Sequence, residues 1–313
     1  MTITPAIALL YLFHPLTKTL AGAEDLPSPG SLWHAGNWTW ELSITLPLAI
    51  TAAFYIAGAI RRGDARRLVA RHIYFALAML SLAFALISPL HKLGDALFSA
   101  HMLQHEVLIL LAAPLFSLAQ PGVTFLFALP RGARSAVGRW LADLEHNRAV
   151  ALLTAPLAAW LLHAIALWGW HLPVLYQATL RSDFVHSMQH LSFFITAVIF
   201  WSALYGAGRS AMSYGAGVFY VFGTAVHCSA LGALLTFSTV IWYPIYAGRT
   251  SLWHLTPIQD QQLGGLLMWV PSGVVFIVAG IVLFAKWLQE SDRRLQHGSL
   301  QTILQEQEAL PHE

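Results

Sequence analysis

Long runs of apolar residues, separated by short polar stretches, occupy most of this chain. A helix needs about 20 consecutive apolar residues to cross a bilayer, and seven segments are long enough. They lie near residues 40–60, 72–90, 102–128, 149–170, 187–206, 214–237 and 262–287. The pattern predicts an all-α membrane protein, a bundle of seven transmembrane helices.

The composition supports a membrane protein and narrows its chemistry. Hydrophobic residues make up 57% of the chain and charged residues 10%, whereas soluble domains are about 25% charged. The formal net charge of +2 is small, so we expect no nucleic-acid partner. The single cysteine, Cys228, excludes an internal disulfide and any zinc or iron–sulfur site built on several cysteines.

The distribution of Lys and Arg predicts the orientation, because cytoplasmic loops carry an excess of these residues. Four of the 17 Lys and Arg residues lie in connections on one side of the membrane, namely Lys18, Lys92, Arg181 and Arg249. The other side has Arg61, Arg62, Arg66, Arg67, Arg71, Arg131, Arg134, Arg139, Arg148, Arg209, Lys286, Arg293 and Arg294. We therefore place the N-terminus outside the cell and the C-terminus in the cytoplasm.

Three regions follow from this topology. Residues 1–38 form a periplasmic segment or a signal-like region, in which the sequence Ala21-Gly22-Ala23 resembles a signal-peptidase site. No positive charge precedes the apolar run at residues 3–13, so cleavage is left open. Residues 39–290 form the transmembrane domain, and residues 291–313 a polar cytoplasmic tail.

The pattern His-x-x-Gln-His occurs twice, each time at the start of a long apolar segment. The copies are His101–His105 and His186–His190, and each ends a loop that follows an outward-running segment. This order suggests a weak parallel repeat of helices 2–3 and 4–5. Residues three and four apart share one face of a helix, so we expect four imidazoles to converge near the outer face.

Neutral imidazole is a common ligand of copper, zinc, iron and nickel. We therefore predict a metal site at His101, His105, His186 and His190, with interfacial histidines bound to water as the alternative. Gln104 and Gln189 are expected to orient the imidazoles rather than bind the metal. His91 and His171 lie at equivalent points of the repeat, and either could add a ligand. Met102 and Met188 could also contribute sulfur, although apolar packing is the simpler interpretation.

Asp260 precedes the last segment at the level of the histidine pairs. Its carboxylate could balance a bound cation or orient a histidine, and it could equally cap its own helix. His163 and His227 are predicted near the middle of the membrane, where each needs a polar partner. A hydrogen bond between helices is expected there. The alternative is an inner relay or a second ion site, to which Cys228 could add a soft ligand.

Several motifs in order resemble those of the multi-spanning CtaG-type cytochrome c oxidase assembly factors. The resemblance covers roughly residues 35–290 and rests on HMLQH, WHLPVLYQATL, HSMQHLSFF, LGALLTFS and DQQLGGLLMWVP. It implies a multi-pass protein of the bacterial plasma membrane that helps copper reach a haem–copper oxidase. By motif, the residues that it implicates are His101, Met102, Gln104, His105, His171, His186, His190, Asp260, Gln261 and Met268.

The functional expectation is therefore an assembly factor or metallochaperone rather than an enzyme. Its cargo would be copper, and its expected partners are a cytochrome c oxidase subunit, a periplasmic copper chaperone and the lipid bilayer. An all-nitrogen site favours Cu(II), whereas sulfur from methionine favours Cu(I). The alternatives are a membrane-embedded zinc-dependent hydrolase, a haem-binding membrane protein and a scaffold without metal.

Overall fold

The computed structural model describes residues 26–63, 68–205 and 212–308, and within them all regular structure is helical. The first helices are α1 (Leu42–Arg62), α2 (Val69–Leu86), α3 (Pro89–Ala96), α4 (Phe98–Glu106), a π-helical segment (Val107–Ala112), α5 (Ala113–Ala119), α6 (Gly122–Ala128) and α7 (Arg131–His146). They are followed by α8 (Arg148–Leu153), α9 (Pro156–Trp170), α10 (Pro173–Arg181), α11 (Asp183–Tyr205), α12 (Tyr214–Thr236) and α13 (Pro257–Glu308).

Six stretches of the described residues are long and apolar enough to span a membrane. They are Leu42–Arg62, Val69–Ala96, Phe98–Ala119, Asp183–Tyr205, Tyr214–Thr236 and Pro257–Gln296. A seventh span results if α9 and α10, which meet at an angle of 73°, count as one broken crossing. The all-helical, multi-pass architecture is thus confirmed. The count of seven, the orientation and the repeat remain predictions.

Prolines and caps set the helix breaks next to the histidine motifs. Ser88 accepts a hydrogen bond from the backbone N–H of Leu90 at 3.3 Å, and Pro89 begins α3. Pro173 begins α10 in the same way, directly after the break at His171. Proline suits the first turn of a helix because it has no N–H to satisfy. Each motif helix is therefore preceded by a short helix that begins at a proline, where the sequence predicted a loop.

Helix α13 organises the bundle by packing against both α12 and α4. Its contact with α12 is close because Gly265 faces the backbone of that helix. A Cβ at Gly265 would lie 2.6 Å from Thr236 N and 2.7 Å from Gly232 O. Small residues allow this approach between membrane helices, and it fixes the position of the segment that carries Asp260.

Some sequence predictions fall outside the described residues or meet different boundaries. The described residues do not include 1–25, which contain the resemblance to a signal-peptidase site. They also do not include Arg66, Arg67 and Arg209, which contributed to the predicted orientation. The predicted fourth segment, 149–170, is divided between α8 and α9. The predicted boundary between residues 290 and 291 falls inside α13, which continues as one helix to Glu308.

Candidate metal centre

The two motif helices, α4 and α11, bring their histidines into one buried cluster. Ring centroids lie 4.5 Å apart for His101 and His105, and 4.2 Å apart for His186 and His190. Between the helices, His101 lies 4.9 Å from His186, and His105 lies 5.4 Å from His190. At most 7% of any of these side chains is exposed. The convergence expected from the repeated motif is therefore confirmed as geometry.

The cluster contains two overlapping sets of three histidines. His101, His105 and His190 form a fully buried set, and His91, His186 and His190 form a second set in which His91 is half-buried. In each set, one nitrogen per ring lies within 4.8 Å of the others. Ligands of a tetrahedral ion bound at 2.0–2.1 Å are about 3.3 Å apart. Small ring movements would therefore close either set around an ion.

Hydrogen bonding leaves ring nitrogens of the buried set free to bind a ligand. His101 Nε2 donates to Gln189 Oε1 at 3.2 Å, so the lone pair of this neutral imidazole lies on Nδ1. Within the described residues, His101 Nδ1 and both ring nitrogens of His105 have no hydrogen-bond partner, nor has His190 Nε2. An unsatisfied buried polar atom costs about 1–3 kcal/mol. In a neutral imidazole one ring nitrogen carries hydrogen, so these atoms can offer a cation three lone pairs, one from each histidine.

The two motif glutamines orient histidines, as the sequence predicted, but each acts on a different part of the cluster. Gln189 holds His101 across the helix interface. Gln104 Nε2 donates to Ala85 O at 2.7 Å and to His91 Nδ1 at 2.8 Å. The sequence offered His91 only as a possible ligand. The side-chain amide of Gln104, in the first motif, thus holds the His91 ring in place within the second set.

His171 and Met102 form a contact on another side of the cluster. His171 Nδ1 donates to Leu167 O at 2.6 Å, and its Nε2 lies 3.3 Å from Met102 Sδ. Met102 is fully buried, whereas 37% of Met188 is exposed. The two methionines are therefore not equivalent. Met102 turns its sulfur toward a histidine whose ring centroid lies 6.2 Å from that of His105.

Asp260 is buried and acts on helix α4. Its Oδ2 accepts from Phe98 N at 2.6 Å, and its Oδ1 accepts from Ser99 N at 3.1 Å and Ser99 Oγ at 2.5 Å. The carboxylate therefore satisfies the first N–H groups of the helix that carries His101 and His105, where a negative charge is also favoured.

The interpretation of Asp260 as the cap of its own helix is wrong. Helix α13 begins at Pro257, before Asp260. The residues that cap it are Thr256 and Gln259. Thr256 N donates to Gln259 Oε1 at 2.9 Å, and Gln259 N donates to Thr256 Oγ1 at 3.3 Å, which is the reciprocal arrangement of a capping box.

Three buried tyrosines, which the sequence did not single out, cover the cluster. Tyr176 and Tyr246 share a hydrogen bond of 2.8 Å, and the Tyr176 ring lies 5.1 Å from His101. Tyr243 donates to His171 O at 2.8 Å, and Tyr246 donates to Gly94 O at 2.9 Å. Burial raises the pKa of Tyr243 and Tyr246 well above the usual value, so both remain neutral phenols. These hydrogen bonds hold the loop between α12 and α13 against the histidine cluster.

The histidines expected deeper in the membrane lie apart from this cluster. His163 Nδ1 lies 3.3 Å from Thr196 Oγ1, which is the hydrogen bond between helices that was expected. His227 Nδ1 lies 3.8 Å from Cys228 Sγ. His163, Cys228 and Met268 line a cavity of about 10 Å³, together with Glu106. Such a volume holds about one water molecule, and neither deep histidine belongs to a compact set of three metal ligands within the described residues.

Comparison with known proteins agrees with the family resemblance that the motifs indicated. A family model described as cytochrome c oxidase caa3 assembly factor matches residues 53–290. The uncharacterized proteins Mb0105 of Mycobacterium bovis and MT0111 of Mycobacterium tuberculosis are each 26% identical over 280 residues, which is 87% of this chain and 42% of theirs. Protein ML1998 of Mycobacterium leprae is 24% identical over 278 residues, 86% of this chain and 42% of its own.

The chain thus spans about two fifths of the length of these curated relatives. No solved structure matches the chain significantly.

Proposed function

The chain belongs to the cytochrome c oxidase caa3 assembly factor family, and from this premise we propose that it binds a copper ion at the histidine cluster and supports copper insertion into the oxidase. The observation that carries the proposal is the set of buried ring nitrogens without partners on His101, His105 and His190. Each neutral imidazole has one ring nitrogen with a lone pair, and burial of that nitrogen without a partner costs about 1–3 kcal/mol. A cation bound by the three rings would recover this cost.

The buried set supplies three of the ligands of this site. His101 would bind through Nδ1, since its Nε2–H is held by Gln189. Copper is the cargo of the protein in this proposal, so the ligands must release it as well as hold it. Neutral nitrogen ligands without a thiolate suit this exchange, because thiolates bind Cu(I) more strongly.

Met102 and His171 distinguish the two oxidation states of copper. The Met102 sulfur is buried beside His171 Nε2 at 3.3 Å, next to the buried set. A Cu(I) ion would gain a soft ligand by moving toward this pair, whereas Cu(II) favours the imidazoles alone. The proposed site therefore accommodates both states within one cluster.

Asp260 is proposed to position the site without binding the metal. Three hydrogen bonds to Phe98 and Ser99 occupy its carboxylate, and they hold helix α4 at the register that points His101 and His105 inward. The periplasmic location of the cluster, in the plasma membrane of a bacterium, follows from the Lys and Arg distribution and is part of the proposal. So is the delivery of copper to the cluster by a periplasmic chaperone.

Elemental analysis of the full chain, purified in detergent and exposed to Cu²⁺, tests the proposal. We expect the wild type to retain copper after desalting, and the His105→Ala/His190→Ala variant to lose it. His34→Ala is the control, because His34 is exposed and distant in sequence from both motifs.

Equal copper retention by the double variant and the wild type would refute the site. Retention of zinc instead of copper would support the hydrolase alternative, and a Soret band in the visible spectrum would support haem binding.

A further inference from the structure

The histidine cluster has a large cavity on one side. A cavity of about 480 Å³ lies between α1, α2 and α11, and its walls are mainly apolar side chains such as Leu48, Leu82 and Phe194. His91, His186 and His190 also line it, but His101 and His105 do not. The second set of three histidines therefore faces the cavity, while the first set lies behind it.

Three exposed polar residues, two of them acidic, lie in the wall of the cavity and mark its exposed side. Glu41, Asp183 and Ser187 belong to its wall and are exposed. A carboxylate-lined opening with low-dielectric walls concentrates cations and raises their rate of arrival. The loop held by Tyr243 and Tyr246 covers another side of the cluster, whereas this cavity reaches His91, His186 and His190 directly.

From these observations we propose that the cavity is the loading route for the metal, and that His91, His186 and His190 form a first binding station on it. This inference rests on the proposed function. The ion passes from the first station to the buried station of His101, His105 and His190. His190 belongs to both, so it remains a ligand while the other two are exchanged.

The hydrogen bonds make the first station the weaker of the two. His91 Nδ1 accepts from Gln104 Nε2 at 2.8 Å, which places the proton of a neutral imidazole on Nε2. His91 can bind a metal through Nε2 only if that proton moves to Nδ1 and Gln104 presents its oxygen instead. Gln104 would then lose its bond to Ala85 O. His101 Nδ1 and His105 need no such rearrangement, so the ion is retained at the buried station.

The close packing of His91 suits a site that captures and passes on an ion. Its ring stacks on His186 at 5.1 Å with an angle of 10°, and lies 5.9 Å from His190. A metal bound to all three must separate the stacked rings. The stacking contact between His91 and His186 forms again when the ion leaves. It therefore stabilises the empty first station and favours onward transfer over storage.

The test measures the rate of Cu²⁺ loading and the final copper content of the full chain in detergent. His91→Gln keeps an acceptor for Gln104 but removes the imidazole, and Ser187→Trp narrows the opening from an exposed position. Both are expected to slow loading relative to the wild type while the final copper content stays at the wild-type value. Leu157→Trp is the control, because Leu157 is 69% exposed on α9 and does not line the cavity.

The double variant Glu41→Gln/Asp183→Asn tests the charge at the opening. Its loading should be slower at low ionic strength and less sensitive to added salt than that of the wild type.

Wild-type loading rates in both His91→Gln and Ser187→Trp would overturn the loading route and leave the buried copper site intact. A wild type that retains no copper would instead overturn the proposed function itself. A His91→Gln protein that loads at the normal rate but retains less copper would show that His91 belongs to the storage site, and this too would overturn the two-station scheme.

Discussion

Replacement of Asp260 by Asn separates a residue that positions the site from one that binds the metal. Asn has the same shape as Asp, but it carries no charge and has one acceptor oxygen in place of two. At least one of the three hydrogen bonds from Phe98 and Ser99 must be lost, and a buried N–H then faces an amide NH₂. Bonds to charged groups contribute about 1.5–3 kcal/mol each, and neutral ones about 0.5–1.5 kcal/mol. The expected destabilisation of the metal-free protein is roughly 3 kcal/mol.

The single cysteine of the chain provides the assay. Cys228 is 8% exposed, so a maleimide dye should label it only when the bundle opens. In chelator-treated protein, we expect Asp260→Asn to lower the midpoint of thermal labelling by roughly 5 °C. The matched control is Asp292→Asn, which changes an exposed carboxylate on the same helix and should leave the midpoint unchanged.

The outcome that would refute this reasoning is equally specific. If metal-free Asp260→Asn unfolds like the wild type but no longer retains copper, the carboxylate is a ligand and the capping argument fails.

Three further predictions concern packing and ligands. Gly265→Ala should lower the Cys228 labelling midpoint, because its Cβ would meet Thr236 N at 2.6 Å and overpacking costs about 1–3 kcal/mol. Gly280→Ala is the control and should leave the midpoint unchanged, because its Cβ meets nothing within 4 Å. Met102→Leu should weaken retention of Cu(I) more than that of Cu(II), measured by competition with chelators selective for each state, and an equal effect on both would exclude the sulfur as a ligand. Gln189→Leu should weaken copper binding about 10–100-fold by releasing His101 Nε2, and unchanged affinity in a competition titration would contradict the tautomer assignment.

Local sequence patterns were sufficient for the helices and for the gathering of the motif histidines. Apolar runs of bilayer length located the spans, and the spacing of the two motifs placed both imidazoles of each pair on one helix face. Pro173 marked the break after His171. These features depend on residues that are neighbours in the chain, or on a repeated order of elements.

Contacts between distant segments could not be predicted in this way. The bonds from Asp260 to the start of α4 join residues 161 and 162 positions apart. The sequence offered a cation, a histidine or its own helix as the partner of this carboxylate, but not the start of α4. The tautomer of His91 depends on Gln104, and the inward turn of Met102 depends on how α4 is rotated. Each of these is set by packing between helices, which periodicity alone does not specify.

Helix α13 is much longer than a membrane is thick. Its 52 residues extend about 78 Å at 1.5 Å per residue, whereas a bilayer with its headgroups measures about 40–45 Å. A segment of roughly 35 Å therefore projects beyond the membrane at the end remote from Asp260 and the imidazoles. A protein that binds this projecting segment would lie on the opposite side of the bilayer from the histidine cluster. It would nevertheless contact the same helix whose other end positions α4 through Asp260.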